Sequence, residues 1–170
     1  MFDLQPDLKG ELLRLRPLQP QDYAALYRAA SDPKIWEQHP NSDRYKEDVF
    51  KGYFDGAIEC GGALAILDAK TDEIIGSSRY YGLNYESSEI EIGWTFLATK
   101  YWGGTYNREL KNLMLAHAFQ YVDHVLFFVG PNNLRSRKAV EKLGAVYVDT
   151  RSRFGGDSVV YRLSKKDCTF

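Results

Sequence analysis

Apolar side chains recur at two different spacings along the chain, and each spacing predicts one kind of secondary structure. Strict alternation of apolar and polar side chains, as in Leu12–Pro17, predicts a half-buried β-strand. Apolar side chains three and four residues apart, as in Asn107–Val122, predict an amphipathic helix. The other helices are predicted over Pro20–Ala30, Tyr45–Glu59 and Leu134–Leu143, and the other strands over Ala63–Asp68, Ile74–Leu83, Glu89–Ala98, Val125–Val129, Ala145–Thr150 and Ser158–Leu163, with a loop over residues 34–44.

The order of these elements predicts the fold class. Three consecutive strands are followed by alternating helices and strands, which is typical of a mixed α/β sheet with helices on its faces. The pattern contains no internal repeat and no linker-like segment. We therefore expect a single domain over residues 1–170, which is an ordinary length for one domain.

Composition argues against several classes of protein. Apolar residues make up 44% of the chain and charged residues 26%, as in soluble globular proteins. No apolar run reaches the roughly 18–20 residues of a membrane span, and the N-terminus lacks the pattern of a signal peptide. Two cysteines, Cys60 and Cys168, are too few for a disulfide framework or a zinc site. We therefore expect a cytoplasmic protein that uses no metal and has no membrane partner.

Charge is balanced overall but not along the chain. The net charge of −1 argues against a nucleic-acid partner, which would require a strongly basic surface. Residues 1–97 carry 10 basic and 17 acidic side chains, whereas residues 98–170 carry 12 basic and 6 acidic ones. This division suits an enzyme that joins an anionic donor to a cationic acceptor, and it equally suits charges that are scattered and solvated.

A glycine pair stands where a strand feeds the longest predicted helix. Gly103 and Gly104 allow a tight turn and a close approach of a ligand to the backbone, and the following helix N-terminus favours an anion. Lys100 and Arg108 flank the pair. The simpler alternative is a tight turn capped by Asn107. The segment is neither a dinucleotide-binding nor a Walker fingerprint, because it lacks both glycine patterns.

Three segments together resemble the GCN5-related N-acetyltransferases, the GNAT superfamily, and within it the ribosomal-protein N-terminal acetyltransferases of the RimJ/RimL type. They are LRLRPLQPQDYAALYRAASDP, EIEIGWTFLATKYWGG and NNLRSRKAVEKLGA, in this order along nearly the whole chain. The resemblance implies a GNAT fold: a central, mostly antiparallel mixed sheet of about seven strands, splayed between the fourth and fifth, with four helices. It also implies acetyl-CoA as cosubstrate and no metal.

The resemblance further implies which residues hold coenzyme A. The family's pyrophosphate loop, Gln/Arg-x-x-Gly-x-Gly/Ala, falls on Lys100–Thr105; Gly103 matches it, Lys100 is a substitute cation, and Thr105 departs from it. The pantetheine arm would pair with the strand backbone at Phe96–Ala98 and contact Asn133. The implied CoA-binding residues are Phe96, Leu97, Ala98, Lys100, Trp102, Gly103, Gly104, Thr105, Tyr106, Asn107, Asn133 and Ser136.

The catalytic residues implied by the resemblance are Glu91 and Ser136. Many family members protonate the leaving thiolate with a tyrosine, but Val140 stands at that spacing here. The RimJ/RimL branch has a serine three residues after the asparagine, and Ser136 matches it as the acid; its alternative is a helix-capping role. Glu91 is the candidate base that removes the ammonium proton. Glu91 and Glu89 could instead be solvated residues on one face of their strand.

The acceptor is expected to be a small-molecule amine or a peptide N-terminus. The loop between the first two helices would cover the acceptor site, so Trp36 and His39 are candidate substrate-binding residues, together with Arg79, Tyr81 and Glu89. We expect a monomer or homodimer. A second hypothesis is a coenzyme A-binding sensor or interaction module without turnover, which the missing tyrosine and Thr105 favour.

Overall fold

The computed structural model describes residues 1–169, and Phe170, the last residue of the predicted domain, lies outside the described residues. One mixed sheet of eight strands has the order β1-β2-β3-β4-β5-β6-β8-β7. Every neighbouring pair is antiparallel except β5 and β6, which run parallel. The strands are β1 Leu8–Lys9, β2 Leu13–Pro17, β3 Ala63–Asp68, β4 Ile74–Asn84, β5 Glu89–Leu97, β6 His124–Val129, β7 Val146–Arg153 and β8 Gly156–Ser164.

Among residues 1–169, five α-helices accompany the sheet. They are α1 Tyr23–Ala30, α2 Pro33–Trp36, α3 Glu47–Glu59, α4 Thr105–Ala118 and α5 Leu134–Lys142. The predicted fold class, a mixed α/β sheet with helices on its faces, is confirmed. About seven strands and four helices were expected, and the described residues form eight strands and five α-helices. The additional strand, β1, is two residues long and pairs with Arg14 and Leu15.

Several elements differ from the sequence prediction, and two of these differences have identifiable physical reasons. The additional helix, α2, lies in the segment predicted as a loop. Pro33 opens it at the first helical position, where a missing N–H costs nothing, and Asp32 caps it by accepting a hydrogen bond from the Lys34 N–H. Helix α4 begins at Thr105 rather than Asn107, because Gly104 serves as its N-cap at a φ of 101°. No described helix of residues 1–169 is long and apolar enough to span a bilayer.

The two faces of the sheet bury two separate apolar clusters. Along β3, Leu64 and Ile66 point to one face and Ala63, Ala65 and Leu67 to the other, as strand geometry dictates. The first face packs against α4 through Leu110, Met114, Leu115 and Ala118. The second face packs against α1 and α3 through Leu26, Ala30, Phe50, Tyr53 and Phe54. Both faces of the sheet are therefore covered by helices.

The parallel strands β5 and β6 separate part-way along their length. Their pairing covers Glu89–Glu91 against His124–Leu126 and extends no further among the described residues. Beyond that point β5 carries a bulge, where Ser77 pairs with Phe96 but Arg79 pairs with Gly93. Trp94, inside the bulge, has a φ of 52°. The sheet therefore opens as a wedge between β5 and β6, in agreement with the splay that the sequence predicted.

Candidate active site

Two connected cavities occupy the opening between β5 and β6. The larger has a volume of about 880 Å³ and the smaller about 140 Å³. Both are lined by the same group of residues at their junction: His39, Thr95, Asn107, Asn133, Ser136 and Ala139. The smaller cavity thus opens from the larger one at the wedge between the strands.

A glycine turn and the start of α4 form one wall of the larger cavity. Gly103 and Gly104 have φ values of 117° and 101°, which favour glycine strongly, and a Cβ at either would meet no heavy atom within 4 Å. The first intrahelical bond runs from the Arg108 N–H to the Gly104 carbonyl at 2.9 Å. The N–H groups before Arg108 therefore have no intrahelical acceptor, and with the helix dipole they suit an anionic group.

Basic side chains surround this wall. Arg108, Arg135, Lys138 and Lys142 line the larger cavity, so part of the basic excess of residues 98–170 is concentrated here. The Arg135 guanidinium lies 4.0 Å from the centre of the Trp102 ring and donates to the Ile35 carbonyl at 3.0 Å. These cations complement a ligand that carries several phosphates.

Asn133 and Ser136 stand at the junction of the two cavities. Asn133 is buried, and its Oδ1 accepts a hydrogen bond from the Ser136 N–H at 3.3 Å, which caps α5. The capping bond occupies the carbonyl oxygen of Asn133 and leaves its amide N–H groups for a ligand. The Ser136 backbone takes part in the cap, and the residue lines both cavities.

The backbone of β5 is pinned on both sides of its bulge. The Tyr53 hydroxyl donates to the Trp94 carbonyl at 2.7 Å, and the Trp102 indole N–H donates to the Leu97 carbonyl at 2.9 Å. The Ala98 N–H donates to the Ile75 carbonyl at 2.8 Å. Trp94 and Thr95 have no cross-strand partner among the described pairs of β4 and β6. The unpaired backbone of β5 therefore lies at the bulge, at the edge of both cavities.

Trp36 and His39, which lie in the segment predicted as a loop, line the larger cavity. Their role in acceptor binding stays a prediction. The His39 Nδ1 accepts from the Asn41 N–H at 2.9 Å. Burial, with the nearby charge of Arg44, lowers the pKa of His39 to about 3. His39 is therefore neutral at physiological pH and a poor base, but its ring can hydrogen-bond a ligand.

Glu91 is buried, with an exposed fraction of 4%, and is paired with Arg153 of β7. Arg153 Nη1 donates to Glu91 Oε2 at 2.7 Å, and Nη2 donates to Oε1, which makes the contact bidentate. Burial raises the pKa of Glu91, and the Arg153 guanidinium acts in the opposite direction. Glu91 lines neither cavity.

The three remaining acceptor candidates also lie behind the cavity walls. Arg79 is 4% exposed, donates to the Tyr53 carbonyl at 2.8 Å, and lies 4.8 Å from the Trp94 ring centre. Tyr81 packs edge-on against Trp94. Glu89 lies 3.6 Å from Arg162 of β8. Arg79 and Tyr81 therefore support Trp94 from behind.

The cavities bring together most of the residues predicted to bind coenzyme A and two of those predicted to bind the acceptor: Trp36, His39, Phe96, Leu97, Trp102, Gly103, Gly104, Asn107, Asn133 and Ser136. The predicted residues outside the cavity lining are Arg79, Tyr81, Glu89, Glu91, Ala98, Lys100, Thr105 and Tyr106. Lys100 is exposed and its ammonium lies over the Tyr101 ring. Thr105 and Tyr106 contribute to the first turn of α4 through their backbone.

Sequence reasoning missed Lys111 and Arg135. Lys111 lies on the buried side of α4, four residues after Asn107 and four before Leu115, and this spacing is the one signal that could have found it. Arg135 lies within the segment NNLRSRKAVEKLGA, but the sequence assigns it no role, because its contact with Trp102 joins residues that are distant in the chain. Within residues 1–169 no group of three or more His, Cys, Asp or Glu side chains is arranged to hold a metal ion.

Comparison with known proteins identifies the class. The family model described as an acetyltransferase (GNAT) domain matches residues 13–146. The chain therefore belongs to the GNAT acetyltransferase family, and it is an acetyl-CoA-dependent N-acetyltransferase. This confirms the predicted enzyme class and cosubstrate. No curated protein sequence matches the chain significantly.

Solved structures resemble it over nearly its full length. A protein from T. thermophilus, provisionally described as an acetyltransferase, is 30% identical with a TM-score of 0.78, covering 98% of this chain and 93% of that one. RimJ of Mycobacterium smegmatis, in complex with CoA-disulfide, is 18% identical, with a TM-score of 0.73 and coverages of 98% and 91%. Spermidine N-acetyltransferase of Vibrio cholerae, in complex with CoA and spermine, is 17% identical, with a TM-score of 0.70 and coverages of 93% and 98%. At these two lower identities the likeness concerns the fold alone.

Proposed function

We propose that this protein transfers the acetyl group of acetyl-CoA to the primary amine of a small molecule or of a peptide N-terminus, by direct attack in a ternary complex. The wedge between β5 and β6 carries this proposal, because it joins a cationic cavity to an unpaired stretch of strand backbone. Holding both substrates in one cleft makes the attack effectively unimolecular.

The donor binds along the larger cavity. The backbone amides from Gly103 to Asn107 receive the pyrophosphate at the start of α4, and Arg108, Lys138 and Lys142 supply positive charge around it. The pantetheine arm passes Leu97 and Phe96 and contacts the amide of Asn133. This course brings the thioester to the junction of the two cavities.

The backbone at the bulge of β5 stabilises the oxyanion that forms when the amine attacks. The Ala98 N–H is already donated to Ile75, so it does not suit this role. The N–H groups of Trp94 and Thr95 are the better donors, because β6 has separated from β5 there and the bulge leaves both residues out of the pairing with β4. Fixed N–H donors in a site that excludes water stabilise such an oxyanion strongly.

Glu91 is proposed as a positioning residue rather than as the direct base. Its carboxylate accepts two N–H bonds from Arg153, and both groups lie behind Trp94 and Phe128. A carboxylate engaged in this way holds Arg153 and the wall of the site in place. The amine then either binds in its neutral form or loses its proton to water. Both routes are open to an α-amino group, because its pKa of about 7.7–8.0 leaves part of it neutral at physiological pH.

Ser136 is proposed to protonate the leaving thiolate, directly or as a relay from water. We expect Ser136→Ala to lower kcat by about tenfold or more, because a positioned acid contributes at least that factor. The Kd for acetyl-CoA should change little, since the cap formed by Asn133 uses the Ser136 backbone, which alanine retains. Steady-state kinetics and calorimetry on this variant provide the measurement.

Ser31→Ala provides the matched control, since Ser31 is an exposed serine at the C-terminal end of α1 and lies outside both cavities. It should keep wild-type kcat. Full kcat in Ser136→Ala with a true acceptor would reduce Ser136 to a capping residue and direct the search for the acid to Tyr106.

The acceptor is proposed to be an amine without further positive charges. Two arginines lie beside the aromatic wall on the acceptor side: Arg44 is 5.5 Å from the Trp36 ring centre and Arg79 is 4.8 Å from that of Trp94. A third, Arg153, lies 5.4 Å from the Trp94 ring centre, but its charge is offset by Glu91. A polyamine entering here would meet like charges. This distribution fits a peptide N-terminus, as in the RimJ/RimL branch, or a neutral or anionic small amine.

An acceptor panel tests this proposal. Acetyl-CoA is offered with spermidine, with alanine and with a short peptide that begins with alanine, and the acetylated products are identified by mass spectrometry. We expect the peptide or the amino acid to be acetylated at least about tenfold faster than spermidine, as repulsion by Arg44 and Arg79 predicts. A preference for spermidine would contradict the assignment of the acceptor while leaving acetyl transfer intact.

A further inference from the structure

The smaller cavity is bounded by a buried lysine. Lys111 of α4 has an exposed fraction of 6% and lines this cavity, but it does not line the larger one. Its Nζ donates to Thr95 Oγ1 at 2.9 Å and lies 5.6 Å from the centre of the Phe127 ring. No aspartate or glutamate among residues 1–169 forms an ion pair with it.

The buried ammonium group of Lys111 has no anionic partner among the described residues. An ammonium has three donors, and the chain provides Lys111 with the Thr95 hydroxyl and an aromatic ring. Burial lowers the pKa of Lys111 to about 8, so the group remains largely charged at neutral pH. A buried charge is stable in proteins mainly when an opposite charge neutralises it. The neighbouring buried positions of α4 are apolar, as at Leu110 and Leu115.

The shape of the cavity indicates where such an anion would come from. In the binding mode proposed above, the thioester lies at the junction that Thr95, Asn107 and Asn133 share, which directs its acyl chain into the smaller cavity. A volume of about 140 Å³ has room for about four or five groups of the size of a water molecule, which takes about 30 Å³. An acetyl methyl group fills a small part of that space. A chain of two methylenes and a carboxylate fills most of it.

Resting on the acyl-CoA-dependent transfer proposed above, we infer that the smaller cavity is an acyl subsite for coenzyme A thioesters whose acyl chain ends in a carboxylate, such as succinyl-CoA. Lys111 pairs with that carboxylate, with Thr95 beside it. During transfer the amine nitrogen bonds to the thioester carbonyl carbon, the C–S bond breaks, and coenzyme A leaves as a thiol with the proton that the amine gives up. The terminal carboxylate is unchanged throughout, so no further reactant is required.

The position of Lys111 favours a carboxylate over the leaving thiolate as its partner. A group that stabilises the thiolate should face the junction, as Ser136 does, whereas Lys111 is confined to the smaller cavity. A thiolate is also common to every donor, so a lysine directed at it would affect all donors alike. A lysine directed at a terminal carboxylate affects only the donors that carry one.

The test compares three acyl-CoA donors, so that the effect of the charge of the acyl chain is distinguished from the effect of its size. Succinyl-CoA and butyryl-CoA have acyl chains of equal carbon number, and only the former ends in a carboxylate; acetyl-CoA is the small reference. We expect the wild type to use succinyl-CoA with a kcat/KM about tenfold or more above that of butyryl-CoA, as a charge-assisted bond to a buried partner predicts. In Lys111→Met, which retains an apolar stem against Phe127, this ratio should fall to about one, with acetyl-CoA changed less than about threefold.

Lys111→Arg and Lys70→Met serve as controls. The arginine keeps the charge and should retain part of the preference for succinyl-CoA. Lys70 is exposed and lies outside both cavities, so its replacement should leave all three donors unaffected.

Each outcome decides a separate point. A wild type that uses butyryl-CoA as well as succinyl-CoA overturns the inference, and this comparison holds even if the methionine variant fails to fold. An equal loss with all three donors in Lys111→Met overturns it in favour of a role at the thiolate. A wild type that transfers acetyl but not succinyl groups overturns it while leaving the proposed function intact, whereas no transfer from any donor contradicts the proposed function itself.

Discussion

Replacing Gly103 with valine should weaken acetyl-CoA binding by about tenfold or more, because two penalties act together. The φ of 117° at Gly103 belongs to a region that a β-branched residue rarely adopts. The new side chain would also extend into the space where the pyrophosphate approaches the amides of the first turn of α4. Isothermal calorimetry with acetyl-CoA measures the change in Kd.

Gly61→Val is the matched control for backbone strain. Gly61 has a φ of 67° and open space around its Cβ, but it follows α3 and lies outside both cavities. Both variants should lose stability, and only Gly103→Val should lose donor affinity. Equal affinities in the two variants would mean that the pyrophosphate binds elsewhere.

Replacing Arg153 with methionine should lower the free energy of unfolding by about 3 kcal/mol at neutral pH, since it leaves a buried carboxylate without its cation. Glu91 is 4% exposed and its two oxygens are held by the Arg153 fork. The nearest matched control is Arg151→Met, on the same strand, whose ion pair with Asp149 is largely exposed. That control should cost less than about 1 kcal/mol. Urea denaturation measures both.

The loss in Arg153→Met should depend on pH in a defined direction. Burial already raises the pKa of Glu91, and removing Arg153 removes an influence that lowers it. A carboxyl with a raised pKa in the folded state contributes its stability below the unfolded pKa and loses it as the pH rises through the folded pKa. The deficit of the variant should therefore be largest near neutral pH and shrink as the pH falls toward the ordinary range of a glutamate. A deficit that is constant with pH would indicate lost packing alone.

The strands, the long helices and the glycine turn were predictable because local rules govern them. Alternation of apolar and polar side chains identified β2, and Gly103-Gly104 before a long amphipathic helix identified the turn that begins α4. The family resemblance then supplied the splay and the identity of the cosubstrate. Pro33 and Gly104 each stand at the start of a helix that the sequence placed later or did not predict, because a proline or a glycine at such a position also suits a turn.

The residues that the sequence did not predict owe their roles to long-range packing. Glu91 and Arg153 are 62 residues apart in the chain, and no local sequence pattern predicts that an arginine of β7 contacts a glutamate of β5. Lys111 contradicts the general rule that lysine lies at the surface, because the opening between β5 and β6 creates a buried space under α4. Glu91 is the last residue of β5 that pairs with β6, and Lys111 lines the opening beyond it, so both lie where the sheet divides.

Amine-dependent release of coenzyme A from acetyl-CoA tests the central assignment most directly. The thiol is titrated with a chromogenic reagent while a panel of primary amines and short peptides is added, and acetylated product is counted by mass spectrometry. We expect at least one amine to accelerate thiol release, with one acetylated product formed per thiol, and we expect Gly103→Val to raise the KM for acetyl-CoA in the same assay. Donor binding without thiol release, for every amine in a broad panel, would contradict it and favour a coenzyme A-binding module.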